Sequence, residues 1–176
     1  DTYENGLWTG YTGTQTHLRP WDSYDDIDVT GIGNGVFKGS TTIEYFAVPY
    51  NDLFTTIGAE AFADSSLVTV DLFDSVTTIG AGAFRNCVNM EELTIPASVT
   101  SIEAGAFEGC TAITGSFVLR NCTKIGSDAF KNIGAEELDL RSVTSLPTAG
   151  TAGTIFGNRT ILKRLILTSA TAIPAH

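Results

Sequence analysis

A short pattern of apolar and small residues recurs along the chain at nearly constant spacing. The pattern I-G-x-x-A-F begins at Ile57, Ile79 and Ile125, and copies with one substitution begin at Ile32 and Ile102. The five isoleucines are separated by 25, 22, 23 and 23 residues. Units this short cannot each bury an apolar face alone, so self-similarity at this period predicts a stack of repeats that share one continuous core.

An alternating apolar pair follows each phenylalanine, which predicts one short, half-buried strand per unit. No unit contains the roughly 10 to 12 residues that a crossover helix needs. We therefore predict a single parallel sheet of short strands on the concave face, with turns, 3₁₀ segments or one-turn helices on the back. The apolar pairs are Phe46 and Val48, Val70 and Leu72, Leu93 and Ile95, Phe117 and Leu119, Leu138 and Leu140, and Leu165 and Leu167.

The two ends of the chain depart from the repeat. Residues 1–30 lack the pattern and contain both tryptophans, Trp8 and Trp21, so they are predicted to form an aromatic N-terminal cap. Residues 31–176 form about six units of 21 to 25 residues. The last unit is degenerate, because Leu146 replaces isoleucine and an insertion delays Phe156. The pattern stops within a unit, which indicates a longer parent protein.

The segment 93–110, LTIPASVTSIEAGAFEGC, resembles the repeat of the BspA-like leucine-rich repeat family, L-x-x-I-x-I-P-x-S-V-x-x-I-G-x-x-A-F-x-x-C. The likeness extends over about residues 31–173. It departs at Glu103, at an extra residue before Phe117, and after Leu146. The resemblance implies a leucine-rich-repeat solenoid from a bacterial cell-surface or secreted protein, whose better-known relatives act as adhesins for host matrix proteins or other cells. It implies no catalytic residues.

Charge excludes several classes of partner. Twenty acidic and ten basic residues give a net charge of -10, which opposes binding to nucleic acid and to anionic membranes. No apolar run approaches the roughly 18 residues of a membrane span. The polar and aromatic start is unlike a signal peptide. We expect no nucleic-acid partner, no membrane insertion, no cofactor, and a monomeric chain.

The three cysteines fall into repeat positions. Cys87 and Cys110 follow their phenylalanines by three residues, in the position that Ser65 fills elsewhere, and Cys122 fills a valine position. These positions indicate small buried side chains. Rungs about 4.8 Å apart leave a disulfide between Cys87 and Cys110 open. No histidine or further cysteine is spaced to complete a zinc site, so no metal is expected.

Other groups with possible chemistry favour structural interpretations. The glycine string at 31–35 belongs to the repeat, and no helix follows it to bind phosphate. His17 and His176 lie outside the repeats, away from any nucleophile, so an enzyme is disfavoured. A cluster of aspartates in the cap offers oxygen ligands of the kind that calcium takes. Their spacing is not that of an EF-hand, so we favour the interpretation that they form a solvent-exposed face. These aspartates are Asp22, Asp25, Asp26 and Asp28.

Alternation also predicts which side chains point out of the strands. This face is apolar and acidic toward the N-terminus, whereas arginines lie toward the C-terminus. We interpret it as the surface of a non-catalytic scaffold that binds a host matrix protein or a glycan; the alternative is a structural spacer that presents another domain. The candidate binding residues are Tyr45, Asp71, Phe73, Glu92, Arg120, Glu137, Asp139 and Arg141.

Overall fold

The computed structural model describes residues 2–19, 23–24, 27–144 and 163–166, and it has no helix within them. The strands are β1 Thr2–Glu4, β2 Leu7–Gly10, β3 His17–Leu18, β4 Ser23–Tyr24, β5 Ile27–Asp28, β6 Gly31–Ile32, β7 Tyr45–Ala47, β8 Thr56–Ile57, β9 Thr69–Asp71, β10 Thr78–Ile79, β11 Glu92–Leu93, β12 Ser101–Ile102, β13 Ser116–Val118, β14 Lys124–Ile125, β15 Glu137–Asp139 and β16 Arg164–Ile166. Leu146, Phe156 and the insertion between them lie outside the described residues.

Successive units stack as a solenoid, which confirms the predicted fold class. The repeat isoleucines lie on a sheet with the strand order β1-β2-β6-β8-β10-β12-β14, in which every pairing except β1 with β2 is parallel. Ile57 pairs with Ile32 on one side and with Ile79 on the other. All five repeat isoleucines are at most 2% exposed. Each unit therefore adds one rung to a continuous ladder.

The number of sheets differs from the prediction. The isoleucine ladder is a sheet in its own right, and the strands after the phenylalanines form two further sheets instead of one. Their orders are β3-β7-β9-β11 and β13-β15-β16. The interruption falls between β11 and β13, where the extra residue before Phe117 is accommodated by Gly115 at a φ of 90°. One added residue lengthens the segment that precedes β13, and β13 does not pair with β11.

The back of each unit consists of turns, because two residues per unit have left-handed backbone conformations. One is the fourth residue of the pattern and the other is the second residue after the phenylalanine. A left-handed residue ends a helix. Each turn instead donates hydrogen bonds to the next rung, as from Phe37 N to Ala61 O at 2.7 Å. The left-handed residues are Gly35, Glu60, Gly82, Gly105 and Asp128, then Gly39, Asp64, Asn86, Gly109 and Asn132.

A column of phenylalanine rings fills the space behind the ladder. Adjacent rings in the order Phe37, Phe62, Phe84, Phe107, Phe130 have centroids 5.1, 5.4, 5.3 and 5.7 Å apart and are tilted by no more than 11°. Such distances are in the favourable range for offset stacking. Because every rung supplies one ring, the stack spans five units.

Residues 2–19 cover the N-terminal end of this column. β2 pairs with β6 and aligns Trp8 with Ile32, so the indole occupies the position of a repeat isoleucine. Trp8 is 2% exposed and meets Phe37 edge-on, with ring centroids 5.2 Å apart. β3 extends the strands after the phenylalanines in the same way, by pairing with β7. Trp21 lies outside the described residues.

Candidate binding surface

Outward-facing side chains line up across the sheet β3-β7-β9-β11. Strand register aligns His17, Tyr45, Thr69 and Glu92 in one row. The next row contains Asp71, and Phe73 follows β9. We call the outward side of this sheet the N-terminal strand face. It contains four of the residues predicted from sequence, namely Tyr45, Asp71, Phe73 and Glu92.

Tyr45 and Asp71 are joined on this face. The Tyr45 hydroxyl donates a short hydrogen bond to Asp71 Oδ2. That bond, followed by burial, raises the pKa of Tyr45, and Arg19 acts against the rise. The His17 ring stacks on Tyr45 with centroids 5.6 Å apart. The cap thus contributes directly to the strand face.

A second group of side chains contacts the Phe73 ring. The Arg19 guanidinium carbon lies 5.5 Å from the centre of the Phe73 ring, within cation–π distance. The Tyr50 ring lies 4.6 Å from the same ring and is 78% exposed. Asn51 Oδ1 accepts hydrogen bonds from the amides of Leu53 and Phe54, which holds the turn that presents Tyr50. Phe73 is half-buried against the core, whereas Tyr50 is exposed.

An open cleft of about 280 Å³ lies over β9 and β11. Its polar lining comes from Thr69, Asp71, Glu92 and Thr94, and its apolar lining includes Phe73. Hydroxyl, carboxylate and aromatic groups thus converge on one depression of the strand face. Side chains of a ligand could receive both hydrogen bonds and apolar contacts here.

The remaining predicted residues form a separate group on the sheet β13-β15-β16, which we call the C-terminal strand face. Arg141 binds the buried Asp139 carboxylate through Nε, at 3.0 Å to each oxygen, and through Nη2 at 2.6 Å. These hydrogen bonds lower the pKa of Asp139. Glu137 contacts Arg164 at 3.4 Å. Arg120 is exposed and forms no ion pair with another described residue.

The predicted face is therefore divided into two surfaces of different character. The arginines expected toward the C-terminus lie on the C-terminal strand face, where Asp139 pairs with Arg141 and Glu137 pairs with Arg164. Sequence reasoning did not select His17, Arg19 and Tyr50 for the N-terminal strand face. Arg19 had a sequence signal, since it follows the apolar Leu18 within the cap. Tyr50 lies beyond the alternating strand pattern and had none.

The cysteines are confirmed as buried residues and are free thiols. Cys87 Sγ donates to Phe62 O at 3.0 Å, and Cys110 Sγ donates to Phe84 O at 3.1 Å. Burial raises the pKa of Cys87 and of Cys122 to about 11, and that of Cys110 well above the usual range. A thiol needs to ionise to act as a nucleophile or a metal ligand. All three therefore pack as small apolar side chains.

The other chemical candidates take structural positions or lie outside the described residues. The string 31–35 forms β6 and the turn after it, where the Asn34 side chain accepts a hydrogen bond from the Ala59 amide at 2.8 Å. Asp22, Asp25, Asp26 and His176 are not described. Among the residues that are, no group of three or more histidine, cysteine or acidic side chains could hold a metal ion. Within the same residues no helix is long and apolar enough to cross a membrane.

Each unit contributes two short strands that pair in parallel with strands of neighbouring units, and the units share one apolar column. This arrangement defines a leucine-rich-repeat solenoid. The chain belongs to the BspA type leucine-rich repeat family, whose profile matches six copies over residues 30–151. No curated protein matches the sequence.

Two solved structures share the fold. A leucine-rich repeat protein of T. pallidum superposes with a TM-score of 0.71 at 23% identity, over 76% of this chain and 63% of its own. A leucine-rich cell surface protein of Faecalibacterium prausnitzii gives a TM-score of 0.54 at 22% identity, over 93% of this chain and 46% of its own. The chain thus spans less than two thirds of the length of either protein.

Proposed function

We propose that the chain is a non-catalytic scaffold at the cell surface or outside the cell, where it mediates binding or adhesion to a host matrix protein or a glycan. The N-terminal strand face is the observation that carries this proposal. Its aromatic rings, its carboxylates and the cleft beside Phe73 are together on the outward side of one sheet. Exposed apolar groups beside polar ones are typical of contact surfaces.

Family and fold support the class of function. Leucine-rich repeats of this type are typically non-catalytic. One protein of the same fold is a leucine-rich cell surface protein, which supports a surface location here. The chain acts as a monomer, without cofactor, metal or nucleic acid.

The size of the surface limits the affinity expected from it. Four strands at about 4.8 Å, each contributing about five residues, give a face of roughly 240 Å². A standard protein interface takes about 800 Å² from each partner. Binding through this face is therefore weak per contact and gains strength from flanking loops or from multivalent display.

An array of host matrix proteins and glycans, probed with the purified chain, tests the proposal. We expect at least one ligand whose signal falls in a Tyr50→Ala variant. Val88→Ala is the matched control, because Val88 is also an exposed apolar residue, at 50%, but follows Cys87 in a back turn. A ligand bound equally well by both variants, or one lost only in Arg120→Ala, would move the site off the N-terminal strand face.

A structural spacer is the second candidate, and the continuous rungs favour it. The isoleucine ladder and the phenylalanine stack run without interruption through five units, as in a rigid rod. A spacer predicts no ligand on the array and no effect of Tyr50→Ala beyond stability. These outcomes separate the two candidates.

A further inference from the structure

Several described carboxylates are paired with cations, whereas others, such as Glu4, Asp52 and Asp64, form no ion pair with a described residue. On the back turns, Glu60 binds Lys38 and Arg85, and Glu108 binds Lys131. The C-terminal strand face is neutralised by its own arginines, as described above. The carboxylates on and beside the N-terminal strand face form no ion pair with another described residue. These are Asp71, Asp74, Glu91 and Glu92.

Apolar groups accompany this unbalanced charge. Tyr50 and Leu53 project from one turn beside Phe73 and are 78% and 48% exposed. The cleft next to them is lined by Phe73, Asp71 and Glu92, among other residues. A ligand complementary to such a surface has positive charges on apolar stems, which describes arginine and lysine side chains.

The cap already supplies one such side chain. Arg19 lies over the Phe73 ring at 5.5 Å and is close enough to Tyr45 to act on its hydroxyl. It forms no ion pair with another described residue. The place between the aromatic ring and the Tyr45–Asp71 pair thus accommodates a guanidinium group, which here is that of Arg19.

We propose that the N-terminal strand face binds an extended basic polypeptide segment, whose arginine or lysine side chains lie over the Tyr50 and Phe73 rings and pair with Asp71 and Glu92. This inference rests on the proposed function and narrows its ligand to a cationic protein segment. The cleft, at about 280 Å³, lies just below the roughly 300 to 1,000 Å³ of small-molecule sites and is suited to single side chains. In an extended peptide, alternate side chains point the same way, so successive ones can reach neighbouring parts of the face.

A peptide of about eight arginines, labelled for fluorescence anisotropy, is the probe. We expect it to bind the full chain, with affinity that falls as salt rises from about 0.05 to 0.5 M. Asp71→Asn/Glu92→Gln should weaken binding about two- to tenfold. Glu4→Gln/Asp64→Asn removes the same charge from carboxylates elsewhere on the surface that form no ion pair with a described residue, and it should change binding little. Equal losses in the two double variants would mean general attraction to an acidic protein and would overturn the proposal.

Arg19→Ala gives the sharper result, because its direction depends on the ligand. For a cationic segment, the variant removes a competing charge and uncovers Phe73, so binding of the arginine peptide should tighten. For a glycan or an acidic segment, Arg19 is a donor and its loss should weaken binding. Weaker arginine-peptide binding in Arg19→Ala, or none to the wild-type chain, contradicts the inference.

A result that contradicts the basic-segment inference would not by itself contradict the proposed function. If an array ligand is lost in Tyr50→Ala but is not displaced by the arginine peptide, the scaffold binds at this face and its ligand is not a basic segment. Thermal unfolding of each variant separates lost contacts from lost folding. Glu92→Gln alone, at an exposed side chain, serves if replacement of the hydrogen-bonded Asp71 impairs folding.

Discussion

Phe107 lies inside the phenylalanine stack, with the Phe84 ring 5.3 Å on one side and the Phe130 ring 5.7 Å on the other. It is fully buried, as its place in the repeat predicts. Arg141 shows where sequence reasoning ends at this scale. The outward direction of its side chain was predictable from strand alternation. Its ion pair with the buried Asp139 was not, because alternation gives the direction of a side chain and does not identify its partner.

Replacing Phe107 by alanine should lower the free energy of unfolding by about 3 to 5 kcal/mol, because the neighbouring rings cannot close the cavity. Arg120→Ala should change it by less than about 0.5 kcal/mol, since this side chain is exposed and unpaired among the described residues. Urea denaturation measures both. Similar losses in the two variants would contradict the assignment of core and surface. Arg141 is unsuitable as the surface control, because its removal leaves Asp139 buried without its partner.

The buried thiols should make the fold sensitive to alkaline pH. Burial raises the pKa of Cys122 to about 11, whereas an unfolded thiol ionises near 9. The unfolded chain therefore loses its protons first, and stability should fall as pH rises from about 9 to about 11. Cys87 and Cys122 each contribute on the order of 1 to 3 kcal/mol to this fall.

Cys122→Val is the matched control for the alkaline effect, since valine fills the same position in Val76, Val99 and Val143. Denaturant titrations at pH 8 and at pH 11 should show a smaller difference for this variant than for the wild-type chain. An unchanged difference would mean that other groups, such as Lys131 with its raised pKa, cause the loss of stability.

At the scale of the elements, the repeat predicted a short strand after each phenylalanine but gave no indication of the second ladder. β8, β10 and β12 have two residues each, too short for periodicity to reveal. The extra residue before Phe117 was visible in the sequence. Its structural consequence was not visible, because the loss of pairing between β11 and β13 depends on whether the neighbouring unit can adjust its backbone to the extra residue.

The interrupted sheet should be detectable by amide hydrogen exchange. Val48 N donates to Asp71 O at 3.0 Å and Leu119 N to Asp139 O at 3.2 Å. The equivalent amides of Leu72, one rung before the interruption, and of Ile95, at the interruption, have no such bond to a described residue. We expect them to exchange at least about tenfold faster in NMR measurements. Equal protection at all four amides would show that the sheet is continuous.

At the scale of the whole molecule, the repeats made the fold predictable from the sequence but gave no information about which residues form the binding surface. A solenoid needs only that each rung resemble its neighbours, so five copies of one pattern determine the core. A binding surface consists of differences between rungs. Tyr50 in its longer unit and Arg19 in the cap are such differences, and the repeat says nothing about where they meet.

The central claim is that this scaffold binds its ligand through the N-terminal strand face, and hydrogen-exchange mass spectrometry of the chain with an array ligand tests it most directly. Binding should slow exchange in peptides covering residues 45–53, 69–74 and 92–95. Peptides from the back turns, residues 58–65 and 80–87, should exchange at their free rates. Protection confined to the back turns, or to residues 116–141, would contradict the claim.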